Sequence, residues 1–141
     1  MNQNLSFIFV HGLSGWGSYD KTYKRMPYWG MRGGDLMVFL REKGFNCYAA
    51  SVSPTGSAWD RACELYAQLA GKKSDYGEVH SRSYGHARFG LDFTDKNSIT
   101  PGIWNVFPAY KGDHMALQGG LRYTHDIRRF YLTLLRMISR L

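Results

Sequence analysis

The sequence predicts an α/β fold, and three successive patterns support this prediction. Residues 5–10 form a nearly uninterrupted apolar run, which is typical of a strand buried on both faces of a parallel sheet. A helix pattern follows, with Asp35 as its cap and Gly44 at its end, and residues 45–52 then have the composition of a second strand. Strand, helix and strand in this order form a βαβ unit, in which the two strands are parallel.

The segment between the first strand and this helix predicts a long irregular loop. Residues 11–34 contain six glycines and two tryptophans, and long loops at the carboxyl end of a strand often carry function. The turn at His11-Gly12 would present backbone N–H groups where an acyl-transfer enzyme binds its oxyanion. An ordinary glycine turn explains the same dipeptide, so both interpretations stay open.

A third element follows the second strand. Ser57 and Asp60 resemble the start of a capping box, and apolar residues continue at helical spacing to Gly71. Residues 72–100 show no sustained periodicity, which predicts an excursion of loops and short turns.

The end of the chain predicts a short strand and a long helix. The strand lies within residues 103–117 and ends near Asp113-His114, and the helix begins at Thr124. Its apolar stripe consists of Ile127, Phe130, Tyr131, Leu134, Ile138 and Leu141. The arginines off this stripe predict a solvated helix face, and they are Arg128, Arg129, Arg136 and Arg140. We expect one domain over residues 1–141, built from a βαβ unit (5–56), an excursion (57–100) and a C-terminal part (101–141).

Charge and composition exclude several classes of protein. The net charge is +7, but the basic residues form no block of five or six, so we expect no nucleic-acid partner. The sequence has no apolar run long enough to span a membrane, and its first ten residues lack the basic region of a signal peptide. Cys47 and Cys63 fit no metal or redox spacing, which predicts free thiols.

Asp60, His80 and His86 are candidate metal ligands. Two imidazoles six residues apart and a carboxylate on a capped helix are a donor set that zinc accepts. The alternative is that Asp60 only caps its helix and that the histidines form ordinary hydrogen bonds.

His114 is a candidate general base, because it follows an apolar segment and precedes a Gly-Gly turn. A base of this kind needs a nucleophile, and the sequence contains no G-x-S-x-G elbow. It also contains no H-E-x-x-H motif, no Walker loop and no G-x-G-x-x-G motif.

Long stretches of the chain resemble the zinc-containing bacterial lipases of the thermoalkalophilic and staphylococcal type. Residues 5–90 are similar to the N-terminal part of these lipases and include FIFVHGLSGWG, YWGMRGGDLMVFLREKGFNCYAASVSP and SAWDRACELYAQLAGKKSDYGEVHSRSYGHARFG. The end of the chain resembles the C-terminal end of the same lipases, through GIWNVFPAYKGDHMALQGG and DIRRFYLTLLRMISRL. The middle of the lipases has no counterpart here.

The resemblance implies a truncated α/β-hydrolase-like parallel sheet flanked by helices, with a zinc-bearing loop insertion. It implies that His114 is the triad base and that the backbone N–H of Leu13 is an oxyanion donor in a substrate loop with His11 and Gly12. It also implies three of the four zinc ligands, which are Asp60, His80 and His86. We expect the fourth ligand to be Asp92 or Asp95, because the family's own fourth ligand lies in the missing stretch.

The chain lacks several parts that the family uses for catalysis, and this lowers the activity that we expect. The nucleophile elbow, the triad aspartate and the helical lid are absent, so we expect a lipase relative with no activity or very weak activity alone. The alternative is a minimal esterase in which His114 activates a non-standard serine. Ala116 and Leu121 stand where the family has acidic calcium ligands, so we expect calcium binding to be lost.

The resemblance also concerns partners and location. It implies ester or lipid substrates and an extracellular location, although this sequence shows no export signal. Because the central strands are missing, we also expect self-association through an exposed sheet edge.

Overall fold

A computed structural model describes residues 5–96 and 124–139. The strands are β1 (Ser6–Val10), β2 (Asn46–Ala50), β3 (Lys73–Asp75) and β4 (Phe89–Asp92). The helices are α1 (Leu36–Glu42), α2 (Ala58–Ala70), α3 (Glu78–Tyr84) and α4 (Thr124–Ile138). Helices and strands alternate along the chain, so the α/β class is confirmed. The strand predicted within residues 103–117 lies outside the described residues.

The predicted βαβ unit is confirmed by the pairing of β1 with β2. The two strands are parallel, and their register runs from Ser6 opposite Asn46 to Val10 opposite Ala50. Between them, α1 begins where the Asp35 side chain accepts a hydrogen bond from the backbone N–H of Met37. This arrangement brings the carboxyl ends of both strands, and the loops that follow them, to the same edge of the sheet.

The two faces of this sheet differ in burial. On one face, Phe9, Cys47 and Ala49 pack with α1 and α4 in the hydrophobic core. On the other face, Val10 is 39% exposed, and Tyr48, which is 42% exposed, lines a cavity of about 340 Å³ between the sheet and α2. The expectation of a strand buried on both faces was therefore wrong. Among the described residues, β1 has only β2 as a neighbour, and the expected self-association through an open edge stays a prediction.

The excursion after α2 contains more regular structure than its sequence predicts. β3 and β4 form a second, antiparallel sheet, and α3 lies between them in the chain. The expectation of loops and short turns was therefore wrong for these segments. Strands of three and four residues are too short to show alternation, and only Val79 and Tyr84 are apolar in α3, both of them exposed.

The helix α4 attaches the end of the chain to the core. Ile127, Tyr131 and Leu135 are spaced four residues apart and are all buried, and the Tyr131 ring lies 5.0 Å from the Phe9 ring. Arg128 was expected on a solvated helix face, but it contacts the loop before α1. Its guanidinium donates a hydrogen bond to the carbonyl of Gly33 and stacks 5.1 Å from the centre of the Phe39 ring.

No helix in these two described ranges has the length and apolar character needed to cross a bilayer.

Candidate metal centre and oxyanion turn

Three predicted metal ligands lie together at one end of α2. Asp60 is in the first turn of α2, His80 is on α3, and His86 follows α3 directly. The Oδ1 atom of Asp60 lies 2.9 Å from Nε2 of His80 and 3.6 Å from Nε2 of His86. One ligand atom of each residue lies within 4.8 Å of the others. The fold therefore brings together groups that are separated by up to 26 positions in the chain.

Asp60 uses its two carboxylate oxygens for different purposes. Oδ2 accepts hydrogen bonds from the backbone N–H and the hydroxyl of Ser57, which completes the capping box of α2. Oδ1 is directed at the two histidines. Helix capping and metal binding are therefore compatible, although the sequence presented them as alternatives. Burial raises the pKa of the Asp60 carboxyl, but the hydrogen bonds from Ser57 and His80 outweigh it and hold this pKa below its ordinary value.

The surroundings of His86 favour metal binding through its Nε2 atom. Nδ1 of His86 lies 2.9 Å from the carbonyl oxygen of Ala87, so Nδ1–H donates there and Nε2 keeps its lone pair. The His80 ring lies between aromatic side chains, 5.8 Å from the ring of Trp59 and 4.6 Å from that of Tyr84. These contacts orient both imidazoles toward Asp60.

The donor set and the spacing of the three ligand atoms suit zinc. Bonds of about 2.0–2.1 Å to nitrogen and oxygen in a tetrahedron place the ligand atoms about 3.3 Å apart. The two measured distances to Oδ1 of Asp60, 2.9 and 3.6 Å, lie on either side of this value. The ligand atoms of the two histidines lie within 4.8 Å of each other, so binding would require the side chains to close around the ion.

The two aspartates expected as a fourth ligand lie elsewhere. Oδ1 of Asp92 accepts hydrogen bonds from the backbone N–H and hydroxyl of Thr94, and Asp95 lines the cavity beside the sheet. Neither joins the cluster formed within the described ranges. A tetrahedral ion bound there would have one further position for another ligand.

A hydrogen-bond network around the buried Glu64 borders the metal cluster, and it was not predicted from the sequence. The carboxylate of Glu64 accepts hydrogen bonds from the hydroxyl of Tyr76 and from the backbone N–H of Ser53. The Tyr76 ring meets the edge of the His86 ring at 5.3 Å, and the Tyr76 carbonyl accepts the indole N–H of Trp59. Glu64 stands four residues after Asp60 and thus on the same side of α2, which is the signal that could have identified it.

The predicted oxyanion turn lies at the carboxyl end of β1. The backbone N–H of Gly15 donates to the carbonyl of Gly12, and Ser14 has a φ of +57° at the third position of this turn. Ser14 also donates its N–H to the carbonyl of Pro54, which ties the turn to the segment after β2. Within the described part of the chain, the Leu13 N–H makes no hydrogen bond to another backbone group.

The buried side chain of His11 holds this turn through hydrogen bonds of both ring nitrogens. Its side chain is 1% exposed, so the ring itself is not presented to a ligand. Nε2 accepts the backbone N–H of Val52 at 3.4 Å, and Nδ1 then donates to the carbonyl of Gly12 at 2.9 Å. His114, Asp113, Ala116 and Leu121 lie outside the described residues, so the predictions about the general base and calcium stay predictions.

Comparisons with known proteins match most of this chain to lipases. A protein-family profile described as "Lipase-like, C-terminal domain" matches residues 2–102. The lipase of Staphylococcus hyicus is 43% identical over 87 residues, which are 62% of this chain and 13% of that protein. Residues 103–141 lie beyond the profile, so their resemblance to the end of the lipases stays a prediction.

Solved structures agree with the sequence comparisons. Lipase 1 from Pelosinus fermentans has a TM-score of 0.57 and 40% identity over 63% of this chain and 22% of that chain. EstA from Clostridium botulinum has a TM-score of 0.57 and 39% identity over 72% of this chain and 21% of that chain.

The matched length limits what these relatives imply about the whole molecule. The chain spans about an eighth of the length of the staphylococcal lipase and about a fifth of the length of the solved structures. The resemblance to bacterial lipases is nevertheless confirmed. The profile's description assigns the matched segment to a C-terminal domain, whereas the sequence motifs predicted the N-terminal part of the lipases. The chain belongs to the family of lipase-like, C-terminal domains.

Proposed function

We propose that this chain is a zinc-binding unit of the lipase lineage, with no ester hydrolysis or only very weak hydrolysis on its own. The convergence of Asp60, His80 and His86 around one point is the observation that supports it. Oδ2 of Asp60 and Nδ1 of His86 are engaged by neighbours outside the cluster, so Oδ1 and the Nε2 atom of His86 face the cluster, as a metal site requires. Bound zinc would join α2 to α3 and the segment after it, and would thereby stabilise the excursion.

The weak activity follows from a missing nucleophile. Within this proposal, the Leu13 N–H is an oxyanion donor and His114 is the general base. Donors and a base without an activated serine leave catalysis orders of magnitude below that of an intact triad. Ester or lipid substrates and an extracellular location belong to the same proposal, because the similarity to staphylococcal lipases suggests them.

Metal analysis tests the zinc site directly. We expect about one zinc per chain after purification in zinc and exhaustive dialysis, measured by elemental analysis. The variant His86→Gln removes one ligand without touching the capping box, and we expect it to retain far less zinc. Asp75→Asn is the matched control, because this exposed aspartate is close in the chain but outside the cluster. Equal zinc in all three proteins, or no zinc in any, would contradict the proposal.

A minimal esterase is the second candidate, and the turn at Leu13 favours it. An oxyanion donor must be an N–H that is free to bind the substrate, and the Leu13 N–H makes no backbone hydrogen bond among the described residues. The test is hydrolysis of p-nitrophenyl butyrate by purified protein. We expect no turnover above the buffer rate. Saturable turnover that is lost in His114→Ala and blocked by a serine-directed phosphonate would instead support the esterase.

A further inference from the structure

Arg61 connects the two sites described above. It follows Asp60 in the first turn of α2, and its guanidinium donates one hydrogen bond to the carbonyl of Ser53 and another to that of His11. His11 is the residue that leads into the oxyanion turn. A planar guanidinium holds two carbonyls in a fixed geometry, which a more flexible side chain cannot reproduce.

The contacts beyond Arg61 extend this connection on both sides. Toward the metal cluster, the capping box with Ser57 and the adjacent peptide bond hold Asp60 and Arg61 in one rigid turn. Toward the oxyanion turn, the His11 ring contacts the Gly12 carbonyl, and Ser14 donates its N–H to Pro54 one position after Ser53. The guanidinium therefore lies where α2, the segment after β2 and the segment after β1 meet.

We propose that Arg61 is a positioning residue through which zinc bound at Asp60 holds the Gly12–Gly15 turn closed. An ion that joins Asp60 to His80 and His86 restricts the first turn of α2, and the guanidinium transmits this restriction to the His11 carbonyl. The inference rests on the proposed zinc site, but it does not depend on whether the turn serves catalysis. By linkage, a closed turn favours zinc binding to the same degree.

Amide hydrogen exchange tests this coupling in the full chain. The reporters are the Ser14 and Gly15 amides, since their hydrogen bonds close the turn, and the Phe39 amide of α1 is the internal reference. Under native conditions in which all three amides exchange through local opening, we expect zinc to slow exchange at Ser14 and Gly15 about 5-fold or more relative to Phe39. Equal slowing at all three amides would mean a general gain in stability and would overturn the coupling.

Two substitutions separate the connection from the metal site. In Arg61→Met, which keeps an apolar stem without donors, we expect zinc to bind without the extra slowing of exchange at the turn. In Arg61→Lys we expect part of this extra slowing to return. Arg88→Met is the matched control, because the Arg88 guanidinium pairs with Asp75 and lies over the Phe89 ring, on the sheet of β3 and β4. The extra slowing should persist there.

The outcomes distinguish this inference from the function on which it rests. Zinc binding without extra slowing in the unsubstituted chain would overturn the coupling alone. Extra slowing that survives in Arg61→Met would overturn the role of Arg61. Absence of zinc binding would overturn both the proposed site and the coupling. The measurements on the unsubstituted chain test the coupling even if Arg61→Met fails to fold.

Discussion

Removal of zinc from the cluster of Asp60, His80 and His86 is expected to lower the unfolding midpoint of this chain by roughly 12 to 16 °C. Zinc at about 1,000 times its dissociation constant adds about 4 kcal/mol to the free energy of unfolding, because the unfolded chain does not present the three ligands together. For a chain of this length, each kcal/mol corresponds to roughly 3 to 4 °C. Thermal unfolding followed by circular dichroism, with zinc and with a chelator, measures the shift.

The same substitutions used for metal analysis sharpen this measurement. In His86→Gln we expect the chelator to change the midpoint little, because the high-affinity site is already lost. In Asp75→Asn the full shift should remain. A chelator that leaves the midpoint of the unsubstituted chain unchanged would mean that zinc does not join α2 to the excursion.

Truncation of Leu135 is expected to destabilise the chain by about 2–5 kcal/mol. Leu135 is 2% exposed in the core cluster, where α4 packs beside α1 and β1. Leu135→Ala would leave a cavity at this contact, and neighbouring side chains relax only partly around such a space. Chemical denaturation monitored by tryptophan fluorescence gives the change in the free energy of unfolding.

Met137 provides the control on the same helix. It is 62% exposed, so Met137→Ala should change the free energy of unfolding by no more than about 0.5 kcal/mol. If the two substitutions had equal, small effects, α4 would not be packed on the βαβ unit. This comparison therefore tests whether the end of the chain belongs to the same cooperative core as its beginning.

The elements that the sequence predicts well are those whose signals are local. Asp35 caps α1 through a backbone group two residues away, and Ser57 and Asp60 form their capping box within one turn. The apolar run of residues 5–10 predicted β1 for the same reason. These signals depend only on neighbouring residues, so they are readable without knowledge of the fold.

Other predictions failed because they depended on partners distant in the chain. The second face of the sheet is only partly covered by the described residues, because a strand's burial is set by what packs on it and not by its own apolar residues. Arg128 lies off the apolar stripe of α4, yet the loop at Gly33 approaches it, and the Arg128 guanidinium donates a hydrogen bond to the Gly33 carbonyl. The short strands β3 and β4 are stabilised by each other, and neither carries enough residues to show a pattern.

The metal cluster shows the same division. The sequence by itself determined which residues have zinc-binding chemistry, and the similarity to lipases selected Asp60, His80 and His86 among them. Only the tertiary structure decided that one oxygen of Asp60 caps α2 while the other faces the histidines, and that Arg61 joins this turn to His11. The physical reason is that capping is a contact within one helical turn, whereas metal binding and coupling require atoms that only folding brings within a few ångströms.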